Sequence, residues 1–291
     1  MNVSAQSEPA GERTEDSRVD PPGEHSDRDG RRLVGRAPHF VQSLERGLAV
    51  LRAFSADEPE LSLSDVARRT GLPRAAARRS LLTLADLGYV SAEGRAFSLR
   101  PRVLELGYAY LSSSALPQVA LPHLERLSEQ VHESSSVAVL DGDDVVHVAR
   151  VPTERIMSVA ISVGTRLPAY ATSLGRVLLA GLPPHELDDY LDRVDLRRLT
   201  RHTVASVGAL LDALQVVRAQ GWALVDQELE EGLASVAAPL HDAGRVVAAL
   251  DVSTHASRLD RPAIEAGVVG PLLRTASRIE AEMRATGTRW P

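Results

Sequence analysis

Residues 61–90 read LSLSDVARRTGLPRAAARRSLLTLADLGYV, with arginines at 68, 69, 74, 78 and 79 in a chain of formal net charge −6. Two helices are written there. Ser64 is placed to cap the first, Val66 and Ala67 would face its core, and Gly71 ends it. Pro73 stands where the second begins. Ala77, Leu81, Leu84 and Gly88 then recur at i, i+4, i+7 and i+11, a narrow apolar stripe from which Arg74, Arg78 and Arg79 fall away. Two helices joined by a glycine turn, the second apolar on one side and cationic on the other, form a helix-turn-helix.

The flanks extend this unit. Val41, Leu44, Leu48 and Leu51 predict a preceding amphipathic helix, separated from the motif by a loop around DEPE. After it, YVSAEGRAFSLR predicts two short strands about a turn at Glu93-Gly94, with Arg95 just beyond, which makes the motif a winged one. Arg74, Ala75, Arg78 and Arg79 then occupy the half of the recognition helix that enters the major groove. Ser64 and Arg95 complete the expected DNA-contacting set. The charge distribution agrees: residues 41–100 carry nine Arg against seven acids, whereas residues 1–40 carry six against eight and the remainder eighteen against twenty-four. One positive module on an acidic whole fits a protein that touches nucleic acid with one part only.

The expected organisation has five parts. Residues 1–36, polar and nearly free of apolar side chains, read as a disordered tail that cannot offset its ordering entropy. Residues 37–100 are the winged helix-turn-helix and 101–116 a linker helix, with Val103, Leu106, Gly107, Tyr110 and Leu111 on one side. That stripe suggests pairing with a second copy, because half-sites about 34 Å apart require two DNA-binding heads. Residues 117–285 form a mixed domain and 286–291 a short tail. Within the mixed domain Ala120, Leu124, Leu127 and Val131 mark a helix, and SSSVAVL and VVHVARV form a hairpin about DGDD. MSVAISV reads as a strand. SLGRVLLAGL, ELDDYLDRV and residues 207–220 read as helices, ASVAAPL and VVAALDVS as a second hairpin about DAGR, and residues 263–284 as a closing helix. Adjacent hairpins among helices imply an α+β domain with an antiparallel sheet.

Several functions are excluded or unsupported. The chain has no cysteine, so it has no disulfide, thiolate nucleophile or cysteine-held zinc. It has no run of about 18 apolar residues and no secretory pattern, so a cytoplasmic location without membrane contact is expected. Ser134-Ser135-Ser136 lacks the spacing of a nucleophile elbow, no glycine loop would cradle a phosphate, and no H-x-x-x-H pair suggests a metal. No cofactor and no catalytic residue is expected. The acids of DQELEEG, residues 226–232, read as a solvated loop. What remains is a sensor of a small molecule coupled to DNA. A metabolic enzyme carrying a DNA-binding module is the alternative, and a nucleoid protein with little sequence preference a third.

FVQSLERGLAVLRAF, the motif quoted above, GTRLPAYATSLGRVLLAGL and GWALVDQELEEGLASVAAPL, in this order, resemble the IclR family of bacterial transcription regulators over residues 40–282. RAAARRSLLTLADLGYV, FSLRPRVLELGYAYLSS and VHESSSVAVLDGDDVVHVARVPTERIMSV are similar to its branch governing protocatechuate, 4-hydroxybenzoate and β-ketoadipate catabolism. The resemblance implies a winged helix-turn-helix, a linker helix and a GAF-like effector domain in a homodimer or dimer of dimers. It further implies a double-stranded DNA operator and a small organic acid effector. Carried over residue by residue, the effector-binding candidates are Met157, Thr165, Arg166, Leu167, Tyr170, Ser173, Asp226, Ser235, Asp251 and Ser253. Arg166 and the amides near Thr172 and Ser173 would suit a carboxylate; a surface salt bridge is the other reading of Arg166. Some members of the family have cysteine or metal ligands where Ser235 and Ser253 stand, so neither chemistry carries over. SALPQVALP also lacks the aromatic residue that the branch often has after the linker helix.

Overall fold

The computed structural model describes residues 39–55, 57–153, 161–258 and 261–287. The chain divides into two compact units, with the boundary between Arg102 and Val103. The expected tail at 1–36 and most of the expected strand MSVAISV lie outside the described residues.

The first unit runs α1 (Gln42–Arg52), β1 (Glu60–Ser62), α2 (Leu63–Thr70), α3 (Arg74–Asp86), β2 (Val90–Glu93) and β3 (Ala96–Leu99). Its core gathers Val50, Leu61, Val66, Ala77, Leu81, Leu84 and Val90, so the stripe read on α3 is the buried one. Three details differ from expectation. The α2 cap is Ser62, whose hydroxyl accepts from the Asp65 amide while the Asp65 carboxylate accepts from the Ser62 amide. This capping box moves the helix start two residues earlier. The end of the DEPE segment forms β1, which pairs antiparallel with β3 in a sheet of order β1-β3-β2. In the wing, Glu93 pairs with Ala96, so the two-residue loop is Gly94-Arg95, with Gly94 at φ 62°, and Arg95 sits in the loop itself. On α1 most of the apolar stripe faces out: Val41, Leu44 and Leu48 are exposed, while Leu51 packs half-buried on the core beside the buried Val50.

The second unit begins with α4 (Leu104–Ser113) and α5 (Leu116–Val131), followed by β4 (Ser134–Asp141), β5 (Asp144–Val151) and β6 (Arg166–Pro168). Next come α6 (Ser173–Ala180), α7 (Pro184–Arg193) and α8 (Val207–Gln220), then β7 (Ala223–Asp226), β8 (Leu233–Asp242), β9 (Arg245–His255), α9 (Arg261–Gly267) and α10 (Val269–Thr286). The strands form one antiparallel sheet of order β6-β5-β4-β9-β8-β7. Period-two alternation gives it two apolar faces. Val137, Ala234, Val236 and Leu250 meet α5, α9 and α10 on one. Ala138, Ala223, Ala237 and Ala249 meet α6, α7 and α8 on the other. Both hairpins stand as read. β7 was not anticipated, because GWALVD is short and its pairing with β8 lies outside its own window. The closing helix is divided into α9 and α10, since Pro271 has no N–H to offer the Gly267 carbonyl and is tolerated only in a first helical turn.

Candidate functional site

On the first unit, the fold presents the predicted DNA face. Ser64, Arg74, Ala75, Arg78, Arg79 and Arg95 are all exposed. The arginines of the quoted stretch are not equivalent. Arg68 donates to Asp65 at 2.8 Å, and Arg69 donates to the Ala53 carbonyl at 2.7 Å and contacts Glu58, so both serve the unit itself. Arg74 donates to the Ser64 hydroxyl at 2.8 Å, which ties the start of α3 to α2. Among the described residues no partner holds Arg78 or Arg79, and these two extend from α3 into solvent. Helix spacing puts Arg74, Ala75, Arg78 and Arg79 on one surface because Ala76, Ala77, Leu81 and Leu84 take the other.

On the second unit, a buried polar cluster lies on the sheet face beneath α6. Cross-strand registers build it: Ser136 pairs with both Arg150 and Asp251, Ser134 with Ser253, and Ser253 with Ser235. Neighbours in the same layer are the alanines Ala138, Ala223, Ala237 and Ala249, whose small side chains leave space. The Asp251 carboxylate accepts from Ser136 at 2.6 Å and from Ser253 at 2.8 Å. Ser173, at the start of α6, donates to Ser235 at 2.8 Å. Ser134 lies 3.2 Å from the Thr153 hydroxyl and accepts from its amide at 3.0 Å.

His147 and Arg150 complete this face. The β4–β5 register shifts between Val137 and Ala138: Ala138 pairs with His147, yet Val137 pairs with Ala149. Val148 is the extra residue of a bulge, and it brings positions 147 and 150 to the same side of the sheet. His147 is 2% exposed. Both its ring nitrogens, and Nε and one terminal nitrogen of Arg150, are buried without a hydrogen-bond partner among the described residues. Burial holds the imidazole below its ordinary pKa, with Arg150 pushing the same way and the Asp251 carboxylate opposing. Burial likewise lowers the Arg150 guanidinium, again against Asp251. Unsatisfied buried polar atoms cost about 1–3 kcal/mol each, so these four on one face, three of them donors while the imidazole is neutral, favour a group that supplies acceptors.

The candidates carried over from the family resemblance divide accordingly. Ser173, Ser235, Asp251 and Ser253 are brought together. Leu167 pairs with Val145 and packs on the same face. Thr165 approaches through its backbone, its carbonyl accepting from the His147 amide at 3.1 Å, while its hydroxyl accepts from the Ser162 amide. The Tyr170 hydroxyl is occupied by the Arg197 backbone at 2.9 and 3.2 Å. Arg166 pairs with Val146, so alternation turns it to the opposite face. There it binds Asp144 at 3.1 Å and Asp141 at 2.5 Å, the salt-bridge reading, beside a cavity of about 590 Å³ that Tyr110 and Val139 also line. Asp226 is exposed and pairs with Ala234, also away from the cluster. Met157 lies outside the described residues. In the segment read as a solvated loop, Glu228 is instead buried, accepting from Arg176 at 2.7 Å and the Val204 amide at 2.9 Å. His147, Arg150, Ser136 and Glu228 escape sequence reasoning; the bulge that aligns the first two has no signature in residues 144–151 alone. Among the described residues, no group of three His, Asp or Glu side chains could hold a metal ion, and no helix is long and apolar enough to cross a membrane.

A winged helix-turn-helix with an outward arginine face defines a DNA-binding regulator of transcription, to which the second unit adds a buried polar site. Residues 43–94 match the IclR helix-turn-helix domain, and residues 108–281 the C-terminal domain of bacterial IclR transcriptional regulators. The chain is 50% identical over 243 residues to the Pca regulon regulatory protein of Pseudomonas putida, with 83% of each chain covered. It is 38% identical over 248 residues to the p-hydroxybenzoate hydroxylase transcriptional activator of Acinetobacter baylyi, covering 83% of this chain and 91% of that one. A crystal structure of an IclR homolog from Microbacterium hydrocarbonoxydans, complexed with 4-hydroxybenzoate, matches with a TM-score of 0.71 at 30% identity, over 84% of this chain and 99% of that one. The chain therefore belongs to the IclR family and is a transcriptional regulator.

Proposed function

We propose that this regulator binds operator DNA through Arg74, Ala75, Arg78, Arg79 and Arg95, with Ser64 holding Arg74. Its activity is governed by a small organic acid of the hydroxybenzoate type, received over Arg150, Ser136, Ser173, Ser235, Asp251 and Ser253. The observation that carries this reading is the half-buried Arg150, whose Nε and one terminal nitrogen are buried without a partner among the described residues, beside the polar layer. A guanidinium in that state favours a carboxylate, which it can hold by two parallel hydrogen bonds. Asp251 and the serine hydroxyls supply acceptors for a phenolic hydroxyl at the other end. The likeness to the 4-hydroxybenzoate complex and to the Pca regulator supports a role in aromatic-acid catabolism.

The regulator works in the cytoplasm, where its DNA lies, as a homodimer or dimer of dimers, and it performs no catalysis. Support for self-association comes from α4, on which Leu104, Leu106, Tyr108 and Tyr110 are exposed and no residue is buried. A ten-residue helix of this kind is marginal without packing. The test of function is fluorescence anisotropy on the gene's own upstream DNA against random DNA, with and without protocatechuate, 4-hydroxybenzoate and β-ketoadipate. Specific binding altered by one acid is expected. Equal binding to random DNA would overturn the operator reading, and indifference to all three acids would overturn the effector reading.

A further inference from the structure

We infer that His147 is the second group to meet the effector's carboxylate, and that it takes up a proton from solvent as the acid binds. The inference rests on the effector reading above and adds a chemical condition to it.

The geometry requires more than Arg150 alone. His147 lies on the same face as Arg150 through the Val148 bulge and is almost wholly buried, with neither ring nitrogen satisfied among the described residues. A neutral imidazole has one N–H and one lone pair. A carboxylate can satisfy the N–H, but the remaining lone pair would still be buried and unpaired. Protonation turns it into a second donor that an anion or its hydroxyl can use.

Charge gives the same answer. Among the described residues, the charged groups acting on the ring are Asp251 and Arg150. β9 contributes Asp251, and β5 itself contributes Arg150. β4 contributes Ser136 and Ala138 through its register, and the uncharged Ser173 begins α6. Arg176 of α6 is taken up by Glu228 and the Tyr170 carbonyl. Arg166 of β6 is turned away and bound by Asp141 and Asp144. α5 packs on the other face, where His123 meets Glu282 and Glu125, Arg126 and Glu129 are exposed. Among the described residues, with His147 neutral, the charges of Arg150 and Asp251 balance. A monoanionic acid then leaves one uncompensated negative charge beside the buried His147 and Asp251, which is costly, and a proton on His147 restores balance.

The direction of the linkage follows. In the free site, burial keeps the ring below its ordinary value, so it is neutral near pH 7. An adjacent carboxylate favours the charged form and raises that value. Between the two values binding consumes a proton, and affinity falls as pH rises.

The test is isothermal titration calorimetry of the full-length protein with 4-hydroxybenzoate and with protocatechuate between pH 6 and 8. Each pH is run in two buffers of different ionisation enthalpy, for wild type and His147→Gln. For wild type, heat is expected to depend on the buffer, with uptake approaching one proton per site, and affinity to fall towards about tenfold per pH unit. His147→Gln, checked for native circular dichroism, is expected to bind with buffer-independent heat and a flat pH profile. Wild-type binding with no buffer dependence would overturn the proton uptake while leaving the effector reading in place. Proton uptake retained in His147→Gln would overturn the assignment to His147. Failure of wild type to bind either acid at any pH would overturn the effector reading and this inference with it.

Discussion

In the proposed function Arg150 and Arg78 carry the two halves, and each is a single cation whose setting decides its use. Arg150 is half-buried, with two of its nitrogens unsatisfied among the described residues, so a carboxylate it holds would form charge-assisted bonds worth about 1.5–3 kcal/mol. Arg150→Met keeps the volume of the side chain and removes its charge. It is expected to weaken the acid's effect on DNA binding roughly ten- to hundredfold, read as the acid concentration needed for half the anisotropy change, with operator affinity in the absence of acid preserved. Arg78 is exposed and has no intramolecular partner among the described residues, so its charge is available to DNA. Arg78→Ala should weaken operator binding without altering oligomeric state. If it meets a phosphate, the slope of log affinity against log salt should fall by about one; if it meets a base, discrimination between operator and random DNA should fall instead. Unchanged affinity would remove it from the interface.

At the scale of the element, α6 and the segment between β7 and β8 are locked by the Arg176–Glu228 pair, with side chains only 5% and 10% exposed. Arg176 also donates to the Tyr170 carbonyl at 2.9 Å, so one guanidinium fixes the approach to α6, the helix whose first residue, Ser173, reaches the polar cluster. Gly175 permits that approach, since a Cβ there would lie 2.0 Å from the Ala169 carbonyl oxygen. Removing one partner of a buried pair strands the other charge. Glu228→Ala is expected to destabilise the second unit by about 3–5 kcal/mol, measured by urea unfolding. The double variant Arg176→Met/Glu228→Leu should recover much of that loss, because it leaves no buried charge unpaired. A loss in the double variant as large as in the single one would show that shape, not charge, dominates there.

At the scale of the whole molecule, the uneven charge along the chain lets a protein of net charge −6 present one basic surface. Two units let recognition of DNA and of a small molecule be built on separate cores. In the proposed assembly, α4 offers the exposed apolar surface on which two copies pair. Leu104→Glu/Tyr108→Glu places charge on a helix that buries nothing within the described unit. It is expected to leave the circular dichroism of the protein native while shifting its sedimentation towards the monomer and weakening operator binding by more than tenfold, as loss of a second DNA-binding head requires. A variant that still sediments as wild type would take α4 out of the interface.

The sequence by itself determined the class and most of the elements, the short strands β1, β6 and β7 and the break between α9 and α10 excepted. The α3 stripe, the Gly71 stop, the two hairpins and the helix ending at Gly221 were legible because caps, turns and apolar periods act within a few residues. The arginine face followed from helix spacing alone, and the family motifs followed from residues in order. Only the tertiary structure decided which polar residues meet. Ser136 and Asp251 lie 115 residues apart and share a hydrogen bond because β4 pairs with β9. His147 and Arg150 share a face because a bulge at Val148 adds one residue to the period of two, and Arg166 loses that face because its strand keeps the period. Strand pairing and register are set by contacts far apart in the chain, and a shift of one residue sends a side chain to the other side of a sheet.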